Sequence, residues 1–284
     1  ARTMQNPYHG SITEDVPVSE SELVAPTKGS NDTFYILPTG TYYLGSDISL
    51  EYSIKIENNV TLCLNGHKIT AADGMDAIYM TGGSFTLTDC KGVGTITHAS
   101  SKTGRGVYVS SGTFNMYGGS ITGNKAQDAQ GRGGGVYVYS GSGTFNMSGG
   151  SITGNNAYKS DYISTFGGGV CVGSGIFTVS GEVTVTDNTK GGTKGADGKF
   201  TGDTKNNVYL PTGKTITIGT DKLSEGAQLG VTVSGDYGDY PFTSGWNANM
   251  SDKTPSDYFI SDTDGYVAKL NGSELKMVTH VHNW

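Results

Sequence analysis

The chain has 284 residues, among them 45 Gly, 17 Tyr and only 7 Pro, with a formal net charge of −7. Glycine at about 16% against a usual ~7%, without a period of three, excludes collagen, and a chain 35% apolar and 10% aromatic can bury a core and is not disordered. Too little Ala, Glu, Lys and Leu excludes a coiled coil. The acidic balance excludes the basic face that nucleic acid requires, and no apolar run is long enough to span a membrane.

In chain order, residues 1–32 form an N-terminal extension or cap, with no apolar stretch of the kind a signal peptide carries. Residues 33–220 repeat. Residues 106–126 read GVYVSSGTFNMYGGSITGNKA, residues 135–157 read GVYVYSGSGTFNMSGGSITGNNA, and residues 169–188 read GVCVGSGIFTVSGEVTVTDN. A fainter copy begins at Ala77. Phe85, Phe114, Phe145 and Phe177 mark equivalent slots some thirty residues apart. Self-similarity at such a period signals a stacked repeat architecture.

Each unit holds three short stretches of period two, such as Val107–Val109, Phe114–Met116 and Ser120–Thr122, separated by Gly/Ser turns. Three short strands per repeat predict one turn of a right-handed, single-stranded parallel β-helix, and about seven such turns lie between residues 33 and 218. The fold class is therefore all-β. Ile78, Val107, Val136, Val170 and Val208 form one expected interior ladder, and the four phenylalanines another. Ile96, Ile121, Ile152 and Val183 form the third. Insertions at 124–134, 155–168 and 187–206 follow the third strand and should cluster on one side. Asn124, Asn155 and Asn188 follow that strand at equal offsets and read as a turn ladder that satisfies backbone groups. From about Asp221 the repeat fades, and residues 221–284 read as terminal turns plus a capping β region, or as a small separate β region.

The run Val60-Thr61-Leu62-Cys63-Leu64-Asn65-Gly66-His67-Lys68-Ile69, then Leu87-Thr88-Asp89-Cys90, then G-G-G-V-Y-V and G-S-I-T-G-N carries a resemblance. It resembles the Gly-rich parallel β-helix repeat (pectin-lyase-like) domains of secreted or surface, adhesin-like proteins from host-associated bacteria. The resemblance covers roughly residues 33–280. It implies an extracellular or cell-surface location, a place in a longer multi-module chain, and glycans or host and bacterial surface proteins as partners.

Fold does not decide chemistry, and polysaccharide lyases and glycosidases share this architecture. Candidate catalytic groups are Arg105, Arg132, His67, His98, Asp73, Asp76, Asp89, Asp128 and Asp161, but most fall in turns and none pair in equivalent outward slots, as a two-carboxylate hydrolase needs. The expectation leans away from an enzyme: no catalytic residue, no metal ligand and no cofactor is assigned. Tyr79, Tyr108, Tyr137, Cys171 and Tyr209 share one outward slot of the first strand, with Tyr139 and Tyr158, Tyr162 and Phe166 nearby. Tyr79, Tyr108, Tyr137, Tyr139 and Tyr209 are the candidate binding residues, since a tyrosine stripe offers flat apolar faces with polar tips. A purely structural ladder is the competing reading. Of the three cysteines, Cys63 and Cys90 lie one repeat apart and could pair, leaving Cys171 over; His280 and His282 alone make a weak metal motif. The expected function is non-catalytic adhesion or ligand binding, with a carbohydrate-active enzyme as the alternative and a structural stalk as the third.

Overall fold

The computed structural model describes residues 20–22, 34–127, 131–158, 165–194, 200–235 and 238–280. Among them, twenty strands join one large parallel sheet, and no helix is long and apolar enough to cross a membrane. The fold is all-β.

The pairings fall into three runs. In the first, Ile54, Ile78, Val107, Val136, Val170, Val208 and Val231 stand opposite one another in succession. In the second, Val60, Phe85, Phe114, Phe145, Phe177 and Ile216 do so. In the third the sequence is Ile48, Ile69, Ile96, Ile121, Ile152, Val185 and Leu229. Nearly all of these side chains have no solvent exposure at all. The phenylalanine rings stack almost face to face, 5.5, 4.8 and 4.9 Å apart between centroids.

Five strands, Ile78–Thr88, Val107–Met116, Gly143–Thr153, Ile176–Thr186 and Gln228–Val233, cross from one run to the next without a break. Val107–Met116 pairs through Val107 with Val136 and through Phe114 with Phe145. Its bend falls at Gly112, whose φ is +88° and where a Cβ would sit 2.5 Å from the Gly83 carbonyl oxygen. No other residue fits there.

Val183 differs from expectation. Val185 faces Ile152, and Val183 falls opposite Gly150 two positions earlier. Both valines are buried, so alternation alone does not choose between them. The asparagine spacing does: Asn124, Asn155 and Asn188 each follow Ile121, Ile152 and Val185 by the same offset.

Segments that leave the parallel sheet after the third run build a second one. Lys125–Ala126, Asn156–Ala157 and Thr189–Lys194 pair in parallel, and Phe200–Lys205 adds an antiparallel strand. Towards the C-terminus, Thr243–Ser244 and Phe259–Ser261 still pair with the large sheet. The hairpin Tyr266–Asn271 and Glu274–Thr279 then lies beside a short helix, Trp246–Met250. The Glu274 carboxylate accepts hydrogen bonds from Thr243 Oγ1 and from the Gly245 and Trp246 amides, at 2.9, 2.7 and 3.1 Å.

The interior corner beside the third run is polar and closed to water. Asn124 Nδ2 donates to Asn155 Oδ1 at 2.9 Å, Asn155 Nδ2 to Asn188 Oδ1 at 3.0 Å, and Asn188 Nδ2 to Asn207 Oδ1 at 3.1 Å. Each Oδ1 also accepts the backbone amide of the preceding asparagine, and each Nδ2 of the first three donates to two carbonyls of the corner. The row ends on Asp262, which accepts from the Asn207 amide and side chain at 2.7 and 2.5 Å and from Thr232 Oγ1 at 2.8 Å. Burial still pushes the Asp262 carboxyl above its usual range, against these donors and Lys205. At the other end His98 Nδ1 lies 2.7 Å from Asn124 Oδ1. The His98 Nε2 lies 2.9 Å from the Met75 carbonyl oxygen, so both ring nitrogens face acceptors.

Two substitutions test this core. Phe145→Ala removes the ring stacked on both sides and should cost ~3–5 kcal/mol in denaturant unfolding. Asn155→Ala strips partners from several buried groups at once and should cost at least ~3 kcal/mol by the same measurement.

Candidate functional site

On the outward face of the first run, Lys55, Tyr79, Tyr108, Tyr137, Cys171 and Tyr209 stand in register. Strand alternation puts them there: their neighbours on either side point into the core. Phe34 stacks on Tyr79 with centroids 5.4 Å apart, and Tyr79 on Tyr108 at 5.3 Å, with interplanar angles of 14° and 10°. Tyr137 tilts by 51° against Tyr108, and Tyr139 leans on both at 5.9 and 5.7 Å. Beyond the small Cys171 slot, Phe166 stacks on Tyr209 at 4.2 Å.

Two arginines bind the row together. The Arg105 guanidinium lies 5.1 and 5.3 Å from the Tyr108 and Tyr137 ring centres, donates through Nε to the Arg132 carbonyl at 2.8 Å, and is held by Asp76 at 3.3 Å. Arg132 Nη1 donates to the Tyr137 hydroxyl at 3.4 Å, and its guanidinium lies 5.8 Å from the Phe166 ring centre. Burial pushes the Tyr108 phenol up to about 12, although the Arg105 charge pulls the other way. Burial also raises Tyr137, against its hydrogen bond from Arg132, and that same bond raises Arg132.

The row is not uniformly exposed. Tyr139 is 46% exposed and Tyr79, Tyr108 and Tyr209 are half-buried, but Tyr137 is only 2% exposed, and so is Cys171. The glycine segment before each strand folds back over these two slots. A Cβ on Gly133 would meet Tyr137 Cβ at 2.5 Å, and one on Gly167 would meet Cys171 Cβ at 2.7 Å. The expected open stripe is therefore a covered half and an open half. Along the open half the ring faces are occupied by neighbouring rings and Arg105, which leaves the half-buried Tyr79 and Tyr108 and the exposed Tyr139 ring at the surface.

The other candidates are dispersed and structurally engaged. Asp89 accepts the Gly66, Lys91 and Gly94 amides, Asp73 accepts from Thr103 and pairs with Lys102, and His67 lies 3.4 Å from Asp47. Tyr158 is buried. Asp128, Asp161, Tyr162 and His282 lie outside the described residues. Asn207 and Asp262, the end of the polar row, were not singled out from sequence. The signal for Asn207 was its place immediately before Val208, but Asp262 sits in a segment with no visible repeat.

The raised Tyr108 phenol is measurable. Ultraviolet titration should show tyrosine ionisation continuing to about 12, and Tyr108→Phe should reduce that late component while the raised Tyr137 phenol keeps part of it. Comparison of the chain with family models, with curated proteins and with solved structures finds no match.

Proposed function

We propose that the three runs wind as a right-handed parallel β-helix of the Gly-rich, pectin-lyase-like kind. Parallel crossovers take that hand almost without exception, and repeats of some thirty residues with three in-register strands support the winding. On that frame the chain acts as a non-catalytic extracellular module of a bacterial surface protein, and it holds glycans or glycoproteins along one rigid flank.

The observation that carries this reading is the open half of the aromatic row: Tyr79, Tyr108 and Tyr139 fixed by stacking and by Arg105, with two half-buried rings and one exposed ring at the surface. Side chains already ordered lose little entropy on binding, and phenols match the mixed apolar and hydroxylated surface of a sugar. The stalk reading has its own support, since stacked faces and a buried Tyr137 are what a purely structural ladder would also give.

A glycan array combined with a polysaccharide depolymerisation assay separates the readings. Binding without products is expected, and Tyr108→Ala with Tyr139→Ala should weaken it roughly tenfold at an unchanged circular dichroism spectrum. Released oligosaccharides would make the module an enzyme. Silence in both assays would leave it a stalk.

A further inference from the structure

Cys63 and Cys90 come together through the register of the sheet. Cys63 ends the strand Asn59–Cys63 opposite Thr88, the last residue of Ile78–Thr88, and Leu64 donates its amide to the Thr88 carbonyl at 2.9 Å. The chain then turns in both repeats, and the two turns are tied to each other. Asp89 accepts the Gly66 amide of the earlier turn at 2.7 Å and the Gly94 amide of its own at 2.6 Å. This leaves Cys90 folded over Cys63, with the two Sγ atoms 2.7 Å apart and the Cys90 amide 3.3 Å from Cys63 Sγ. Cys63 is 2% exposed, whereas Cys90 is exposed.

Two sulfur atoms held 2.7 Å apart by these three backbone and carboxylate hydrogen bonds need to approach by only about 0.7 Å to bond. The geometry points to Cys63 and Cys90 as a cross-linking site, at which a small-molecule disulfide such as oxidised glutathione closes an intramolecular bridge between successive repeats. The exposed Cys90 thiolate attacks the glutathione disulfide and releases one glutathione. Cys63, whose thiolate accepts the Cys90 amide hydrogen, then attacks the Cys90 sulfur and displaces the second. Two thiols and one disulfide become one protein disulfide and two glutathione thiols, so hydrogens and electrons balance. The bridge closes the loop between the two residues and fastens the turn at 89–94 to the strand end beneath it, which stabilises by constraining the unfolded chain. It does not depend on what the tyrosine row binds.

The test uses the full chain incubated with oxidised glutathione, denatured, alkylated and digested with trypsin. Lys55, Lys68 and Lys91 place the two cysteines on different peptides. The expected result is those two peptides joined, lighter by two hydrogens than their sum, with Cys171 alone alkylated. The oxidised chain should melt roughly 5 °C above the reduced one, and Cys90→Ser should lose both the cross-link and the rise while Cys171→Ser keeps them. Alkylation of all three cysteines, glutathione retained on Cys90, a bridge to Cys171, or equal melting of the two forms would overturn the proposal.

Discussion

A buried corner in a stack of parallel strands leaves amides and carbonyls out of reach of water, and the row from His98 through Asn124, Asn155, Asn188 and Asn207 to Asp262 is what satisfies them. Asparagine suits the place because one side chain supplies both a carbonyl and two N–H donors. Its Oδ1 takes the amide of the asparagine in the repeat before it, and its Nδ2 serves one carbonyl of its own repeat and one of the repeat before. The row also constrains its neighbours. A Cβ on Gly106 or Gly135 would lie within 2.6 Å of the Ile121 or Ile152 methyl and 3.1 Å from an asparagine Nδ2, and one on Gly169 2.7 Å from the Asn188 Nδ2. The motif therefore opens on glycine because the isoleucine ladder, the next repeat's backbone and the polar row together leave no space. Part of the glycine excess is therefore a packing requirement.

The same register produces ladders inside and outside, and only their surroundings tell them apart. Phe85, Phe114, Phe145 and Phe177 stack in the core with interplanar angles of 17°, 7° and 12°. Tyr79 and Tyr108 stack just as closely on the surface, at 10°. A row of like residues is the default product of parallel in-register pairing, so repetition of tyrosine by itself says nothing about a ligand. What carries meaning is departure from the row: the tilt of Tyr137, the lean of Tyr139 and the placement of Arg105 between them.

The repeats were legible because one-dimensional periodicity maps directly onto pairing. The ladders through Val107 and Phe114, the shared slot of Tyr79, Tyr108, Tyr137, Cys171 and Tyr209, and the clustering of the insertions all follow from it. Legibility ended where period two stopped discriminating. Val183 and Val185 both point inward, and only the partner across the sheet selects between them. Burial of Tyr137 escaped notice for a different reason: alternation says which way a side chain leaves the sheet, but not which later or earlier segment lies over it. Asp262 joins the polar row from far along the chain, without a repeat to announce it.

The path of the connection after the third run, and not its length alone, decides which tyrosines stay open, since the longest one precedes the half-buried Tyr209. The ladder fixes where the chain must leave the sheet, at His98 or an asparagine, and where it must return, at the glycine before the next strand. Between these points its length is free, because the core makes no demand there. The connection before Tyr108 is short, and that ring keeps contact with solvent. Those before Tyr137 and Cys171 are longer, and their returning segments bring Gly133 and Gly167 down on the slots they precede. One of them also carries Phe166 onto Tyr209, where Lys190 from the second sheet lies 5.3 Å from the Phe166 ring centre. The exposure of the row is thus set by the segments the core constrains least, mounted on side chains that the core constrains most.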